Sequence, residues 1–257
     1  MKTILISLTL LAGFFTVASD HLVYLKPKGN SISLGSQSVV HSSDNCKVES
    51  YSVNNSKFYN GSVYVLTIYK NKMNFKVTNK NYTNNNFYVN SNFFGHRGEP
   101  LGECVVDGKR ISRKNSGGGY FTSNGGNGTV TTYGRSQSKY ISQTGYVAIR
   151  NGKINNSYNR SGWGRLQTHR VMIGENKKGD IIVIHTNSAA EVTIPMMNQI
   201  AIKSGVYNAI HLDGGPSVEV KLKDGFYNHE FNALSKIIKK ASNIPIPPVH
   251  IVGNFKN

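Results

Sequence analysis

Residues 180–217 read DIIVIHTNSAAEVTIPMMNQIAIKSGVYNAIHLDGGPS, and three patterns follow one another in them. Asp180-Ile-Ile-Val-Ile-His185 is an unbroken apolar, β-branched run, the composition of a strand buried on both faces. Thr193 can cap a helix with its hydroxyl, and Pro195 suits a first turn, where its missing N–H needs no partner. Met196, Met197, Ile200 and Ala201 then fall on one face as core filler, and Gly205 is the expected stop. Tyr207-Asn-Ala-Ile-His-Leu212 returns as a strand and runs straight into Asp213-Gly-Gly-Pro-Ser217. This strand–helix–strand unit ends on a carboxylate beside two glycines.

The flanking sequence extends the same pattern. Val63–Tyr69 is β-branched and aromatic, a predicted strand; Phe87-Tyr-Val89 is a shorter one after the polar turn Asn79–Asn86. Tyr146–Arg150 ends in Asn151-Gly152, a hairpin dipeptide because both residues tolerate positive φ. Ser217–Leu222 alternates before a turn at Lys223-Asp224-Gly225, Leu234, Ile237 and Ile238 suggest a short helix, and Pro248–Val252 suggests a last strand. Residues 115–128, NSGGGYFTSNGGNG, hold six glycines in fourteen positions and read as a flexible surface loop or a lid. The whole predicts one α+β domain, a mixed β-sheet with few helices. Residues 1–19 are a signal peptide, 20–86 a strand-rich extension packed on the main domain, and 87–257 that domain.

Composition limits the function. With 257 residues, 38% of them hydrophobic, the chain can build one good core, and beyond the N-terminus no apolar run is long enough to span a bilayer. Lys2 followed by the apolar stretch Ile4–Val17 and small residues at Ala18 and Ser19 has the layout of a secretory signal peptide, which predicts a secreted or periplasmic protein. A formal charge of +17 draws polyanions, without choosing among nucleic acid, glycopolymer, sugar phosphate and lipid. Cys46 and Cys104 are an even pair in an oxidising compartment, so a disulfide is expected. It would close a loop of about 60 residues, worth about 4 kcal/mol by the chain-entropy argument. No CxxC, HExxH or clustered His/Cys spacing occurs, so the sequence predicts no metal site.

Carboxylates are scarce, thirteen in all, which makes Asp213 the sharpest candidate for chemistry. Gly214 and Gly215 let backbone N–H groups approach an anion, and Ser217 can donate to a phosphoryl oxygen; an Asp-Gly turn with no other role reads equally well. Asn90 and Asn92 follow a strand and share a face if the chain stays extended, where their amides can meet sugar hydroxyls. Arg170 opens the apolar Val171-Met-Ile173 and could clamp a phosphate or simply sit at a solvated edge. His96, His169, His185 and His211 are scattered and read as structural.

These places carry a resemblance. NSNFF (90–94), LGECVVDGKRIS (101–112), GYVAIRNGKI (145–154), RVMIGENKKGDIIVIH (170–185), a helix, and NAIHLDGGPS (208–217) occur in the order found in the phosphodiester glycosidase family. The similarity covers about residues 87–222, with a weaker tail to Val252. It implies that Asn90 leads the family's Asn-Gly-Gly-Phe/Tyr-Phe segment, that Arg170 is its strand-opening Arg, and that Asp213, Gly214, Gly215 and Ser217 match its Leu-Asp-Gly-Gly-Gly-Ser signature. By the same resemblance, Glu191 matches a Glu before the helix and His185 a histidine ending the preceding strand. The chain departs from the pattern at Pro216, which replaces the third Gly, at Ser91 and Asn92, which replace Gly-Gly, and at Val171 and Met172, which replace Thr-Ala.

The resemblance implies hydrolysis of a sugar-1-phosphodiester at the anomeric C–O bond, on a sugar-phosphate or phosphoglycan substrate. Catalysis would fall to Asp213, Glu191 and Arg170, substrate binding to Asn90, Asn92, His185, Gly214, Gly215 and Ser217, with no cofactor. The departing phosphate is already a stable anion, so the demand is to hold negative charge while an oxocarbenium-like centre develops. A non-catalytic module that binds anionic glycopolymer, phospholipid or nucleic acid through its basic surface is the alternative. No specific nucleic-acid signature accompanies the charge.

Overall fold

The computed structural model describes residues 34–55, 59–95, 97–133, 137–158, 162–187, 191–233 and 249–256. The leader-like N-terminus and the helix expected around Leu234–Ile238 lie outside these residues. Three antiparallel sheets make an α+β domain. The largest has the spatial order β1 (Leu34–Ser42), β2 (Cys46–Asn55), β3 (Tyr59–Ile68), β14 (Ile181–Thr186), β13 (Val171–Glu175), β15 (Asn208–His211), β11 (Val147–Arg150), β12 (Lys153–Ile154). A second runs β7 (Lys109–Ser112), β6 (Cys104–Val106), β10 (Tyr140–Thr144), β8 (Gly119–Ser123), β9 (Gly128–Thr131). The third runs β17 (Tyr227–Asn232), β16 (Glu219–Asp224), β5 (Phe87–Asn90), β18 (His250–Phe255), β4 (Met73–Thr78).

The apolar run of β14 is buried along its whole length because both its faces are covered. Ile182 and Ile184 pack with Met172, Val63 and Val65 against Met196, Met197, Ile200 and Ala201 of a helix, α2 (Ile194–Lys203). Ile181 and Val183 face the opposite way, into a core shared with β5, β16 and β18. Each fully buried Met or Ile of that helix face stabilises the fold by roughly 1.5–3 kcal/mol. The helix begins as its sequence predicts: Thr193 is extended and its hydroxyl accepts from Met196 N–H, with Pro195 in the first turn. The Asn151-Gly152 hairpin forms too, both residues at positive φ, joining β11 to β12. A shorter helix, α1 (Gly162–Arg165), had no sequence signal.

Two expectations are overturned. Residues 115–128 are not a surface loop: within them Gly119–Ser123 is the fully buried strand β8, and β9 starts at Gly128. The glycine there serves packing, since a Cβ on Gly119 would collide with Ile210 of the large sheet. The Cys46–Cys104 disulfide is absent, and both are buried free thiols. Each opens a strand of a different sheet; Cys46 donates its S–H to Asp224 (3.5 Å), and burial pushes both thiols up to about 12.

Candidate functional site

The Asp213 loop lies where the large sheet meets β5 and β16. Leu212 N–H still bonds Val171 O across the sheet (3.1 Å), and Asp213 N–H then switches to Ser91 O just after β5 (3.1 Å). Gly215 N–H returns to His169 O (2.8 Å), which seats the loop on the residues that precede β13. Both glycines are required. A Cβ on Gly214 would lie 2.9 Å from His169 O, and Gly215 has a φ of +63°. Gly215–Ser217 forms one 3-10 turn. Pro216 lies within it, where a missing N–H leaves no helical bond unmade.

The Asp213 carboxyl is half-buried. Burial pushes it up to about 6, and hydrogen bonds from the Ser217 hydroxyl and Gly214 N–H pull only partly the other way. A carboxyl poised near neutrality can hold or release a proton at working pH.

Arg170 lies beneath the same loop, 2% exposed, and a Cβ on Gly214 would come 3.9 Å from its Nη1. Its Nη2 donates to Trp163 O (3.0 Å) and Leu166 O (2.8 Å), its Nε to Val192 O (3.4 Å), and its guanidinium stands 4.8 Å from the Trp163 ring centre. Among the described residues no carboxylate lies within ion-pair distance of it. Burial lowers it only to about 10, so it stays a cation at neutral pH. Trp163 stacks on Tyr146 (4.4 Å), and Phe93 meets both edge-on, which leaves a half-buried aromatic face beside the guanidinium.

The other expected site residues fall differently. Asn90 is fully buried; its Nδ2 donates to Asp213 O (2.7 Å) and its Oδ1 accepts Glu219 N–H (2.9 Å), so the amide braces the loop from below. Asn92 is also fully buried, donating to Gln143 O (2.7 Å) and accepting from Ser142 (2.6 Å). Both amides, expected to meet substrate, are engaged on the protein's own groups. His185 is wholly buried, its Nε2 2.8 Å from His229 Nε2, and burial pushes it down to about 3 and His229 to about 4; the pair is neutral, one ring donating to the other. Glu191 is exposed, one residue before Val192, which pairs with Thr168.

Several neighbours carried no sequence signal. Trp163 comes from the unpredicted α1. Glu219, 3% exposed, accepts from Tyr82 OH (3.0 Å) and Asn232 (3.3 Å) and contacts His250 (3.3 Å), directly behind Asn90. His169 Nδ1 is buried without a hydrogen-bond partner among the described residues. Among the described residues, no helix is long and apolar enough to cross a membrane.

Comparisons with known proteins agree with this architecture. The family model described as phosphodiester glycosidase matches residues 83–243. A hypothetical protein from Synechocystis superposes with a TM-score of 0.63 at 12% identity, covering 86% of this chain and 64% of its own. The zebrafish N-acetylglucosamine-1-phosphodiester alpha-N-acetylglucosaminidase catalytic domain, auto-inhibited by its pro-peptide, superposes with a TM-score of 0.57 at 14% identity, covering 92% and 93%. A search of curated proteins gives no match.

Proposed function

Because this chain belongs to the phosphodiester glycosidase family, we propose that it is a hydrolase that cleaves the anomeric C–O bond of a sugar-1-phosphodiester, releasing sugar and a phosphomonoester. The observation that carries this reading is a desolvated cation, Arg170, with no carboxylate partner among the described residues, directly under a glycine loop whose acid is pushed up to about 6. A buried charge left without a counterion is costly, and an anionic ligand over Gly214 offsets that cost. The family's phosphodiester supplies such an anion.

Asp213, ionised above about pH 6, takes a proton from water as the water oxygen bonds to the anomeric carbon. The anomeric C–O pair leaves with the phosphomonoester, whose developing charge faces the Arg170 guanidinium, because the N–H groups of Gly214, Gly215 and Ser217 are held by the protein's own Asp213 carboxyl, His169 O and Gly214 O. Ser217 holds the Asp213 carboxylate in place. The aromatic face of Phe93, Tyr146 and Trp163 receives the apolar side of the sugar ring, and Glu191, exposed at the rim, is the second acid. Asn90 acts on substrate only through the loop it braces, while Asn92 ties the end of β5 to β10. The leader-like N-terminus supports export of the protein.

The test is a panel of sugar-1-phosphodiesters, nucleotide sugars included, assayed for released sugar with the wild-type protein and Asp213→Asn. Turnover of at least one member, lost in the variant with the circular dichroism spectrum unchanged, supports the proposal. Salt-sensitive binding of anionic glycopolymer without turnover of any member would make it a binding module instead.

A further inference from the structure

The N-terminal hairpin carries a second cluster of chemical side chains, outside the family-matched residues except for one member. His41 near the end of β1, Cys46 at the start of β2 and Asp224 at the end of β16 bring an imidazole nitrogen, a sulfur and a carboxylate oxygen within 4.8 Å of one another. Asp224 ends the strand that starts beside Asn90, and its five strand steps put the cluster about 17 Å along from Glu219. We infer that His41, Cys46 and Asp224 form a binding site for a divalent transition-metal ion of the zinc type.

The donor set is the first argument. One imidazole, one thiolate and one carboxylate are all zinc ligands, and a soft sulfur beside a nitrogen disfavours magnesium and calcium, which take oxygen. Spacing is the second. Tetrahedral zinc separates a sulfur from an oxygen ligand by about 3.6 Å and a nitrogen from an oxygen by about 3.3 Å. Cys46 Sγ stands 3.5 Å from Asp224 Oδ2 and His41 Nε2 2.9 Å from the same oxygen, with all three donors inside 4.8 Å, so a shift of the partly exposed His41 ring that lengthens its contact to Asp224 and brings it toward the sulfur admits the ion.

Orientation is the third argument, since the surrounding groups already aim these donors. Asn45 Nδ2 holds Asp224 Oδ1 (3.1 Å) and leaves Oδ2 for the cluster; the Tyr227 ring lies flat on the His41 ring at 4.3 Å. Ser43 Oγ accepts the N–H groups of Asn45 and Cys46, fixing the turn that presents the sulfur. The His41 and Asp224 side chains are 19% and 10% exposed while Cys46 is sealed, so a fourth position opens to water on the solvent side. On binding, the cation takes the place of the Cys46 S–H proton, which leaves to solvent, and His41 carries its remaining proton on Nδ1. The ion then ties the N-terminal hairpin to the β16–β17 hairpin.

The experiment uses the full chain, stripped with chelator, kept reduced, and titrated with Co²⁺ as a spectroscopic probe. One equivalent should raise a thiolate-to-cobalt charge-transfer band that Zn²⁺ then bleaches by displacement. Cys46→Ser should abolish the band, Cys104→Ser should keep it, and Asn45→Ala should weaken binding about tenfold. No band in the wild type, or a band that survives Cys46→Ser, overturns the site. The wild-type titration decides by itself if a variant fails to fold, and neither outcome touches sugar release at Asp213.

Discussion

Asp213 and Asp224 are the same side chain in two corners of one domain, and their surroundings send them in opposite directions. Burial raises both. At Asp213 burial wins over two donors, Ser217 and Gly214 N–H, and the carboxyl ends at about 6. At Asp224 four donors, His41, Ser43, Asn45 and Cys46, outweigh the desolvation and hold it at about 2. Desolvation and the count of donors together therefore separate a carboxyl that titrates near neutrality from one that stays charged. One corner holds a carboxyl that exchanges its proton near neutral pH, and the other a fixed negative charge between two hairpins.

The largest effect that could break this contrast is on turnover. Asp213→Asn should lower sugar release by about 10³-fold or more while leaving the fold intact. Asp224→Asn should leave kcat on the same phosphodiester near the wild-type value, and equal losses in both variants would erase the distinction. Arg170→Lys should come next, with a fall of about 10²-fold in kcat/KM, because an ammonium cannot copy the fork that now meets Trp163, Leu166 and Val192 carbonyls.

The pH dependence sharpens the comparison, because the signs differ. Asp213 has a folded value above its unfolded one near 4, so it binds more protons when folded, and stability falls as pH rises from about 4 through about 6. The drop amounts to at most about 3 kcal/mol. Asp224 is depressed, so its contribution of about 2 kcal/mol is fully present above pH 4 and lost as pH falls toward 2. Urea melts of metal-free protein should show the upper slope vanish in Asp213→Asn and the lower one in Asp224→Asn. Activity, needing the Asp213 carboxylate, should rise through about pH 6.

Smaller effects test the frame around both corners. Thr193→Ala should cost about 1 kcal/mol by removing the cap on Met196 N–H, read as a shift in urea midpoint at unchanged m. Reductant should not move Tm at all, since Cys46 and Cys104 are unbridged. A drop in Tm on reduction would contradict the free thiols.

What the sequence made legible was local. The Thr193 cap, Pro195, Asn151-Gly152 and the apolar run of β14 each act within a few residues, so their signals survive without tertiary knowledge. The Asp213 loop was legible as a motif because one short segment supplies its acid, glycines and hydroxyl. What was hidden depends on partners distant in the chain. Asn90 looked like a ligand for sugar until Asp213 O and Glu219 N–H, more than 120 positions away, claimed its amide. Gly119 looked like loop material because the Ile210 side chain it makes room for belongs to another sheet. Cys46 offered a plausible bridge to Cys104 by number alone, while its actual neighbour, Asp224, is 178 residues on.

The place of β3 beside β14, and of β4 beside β18, has a practical consequence for anyone shortening the gene. A protein trimmed to the family-matched residues 83–243 would lose β3, β4 and β18 together, stripping backbone partners from β14 in one sheet and β5 in another. Two apolar strands would then present bare N–H and C=O rows to neighbouring molecules, and the trimmed product should collect in the insoluble fraction.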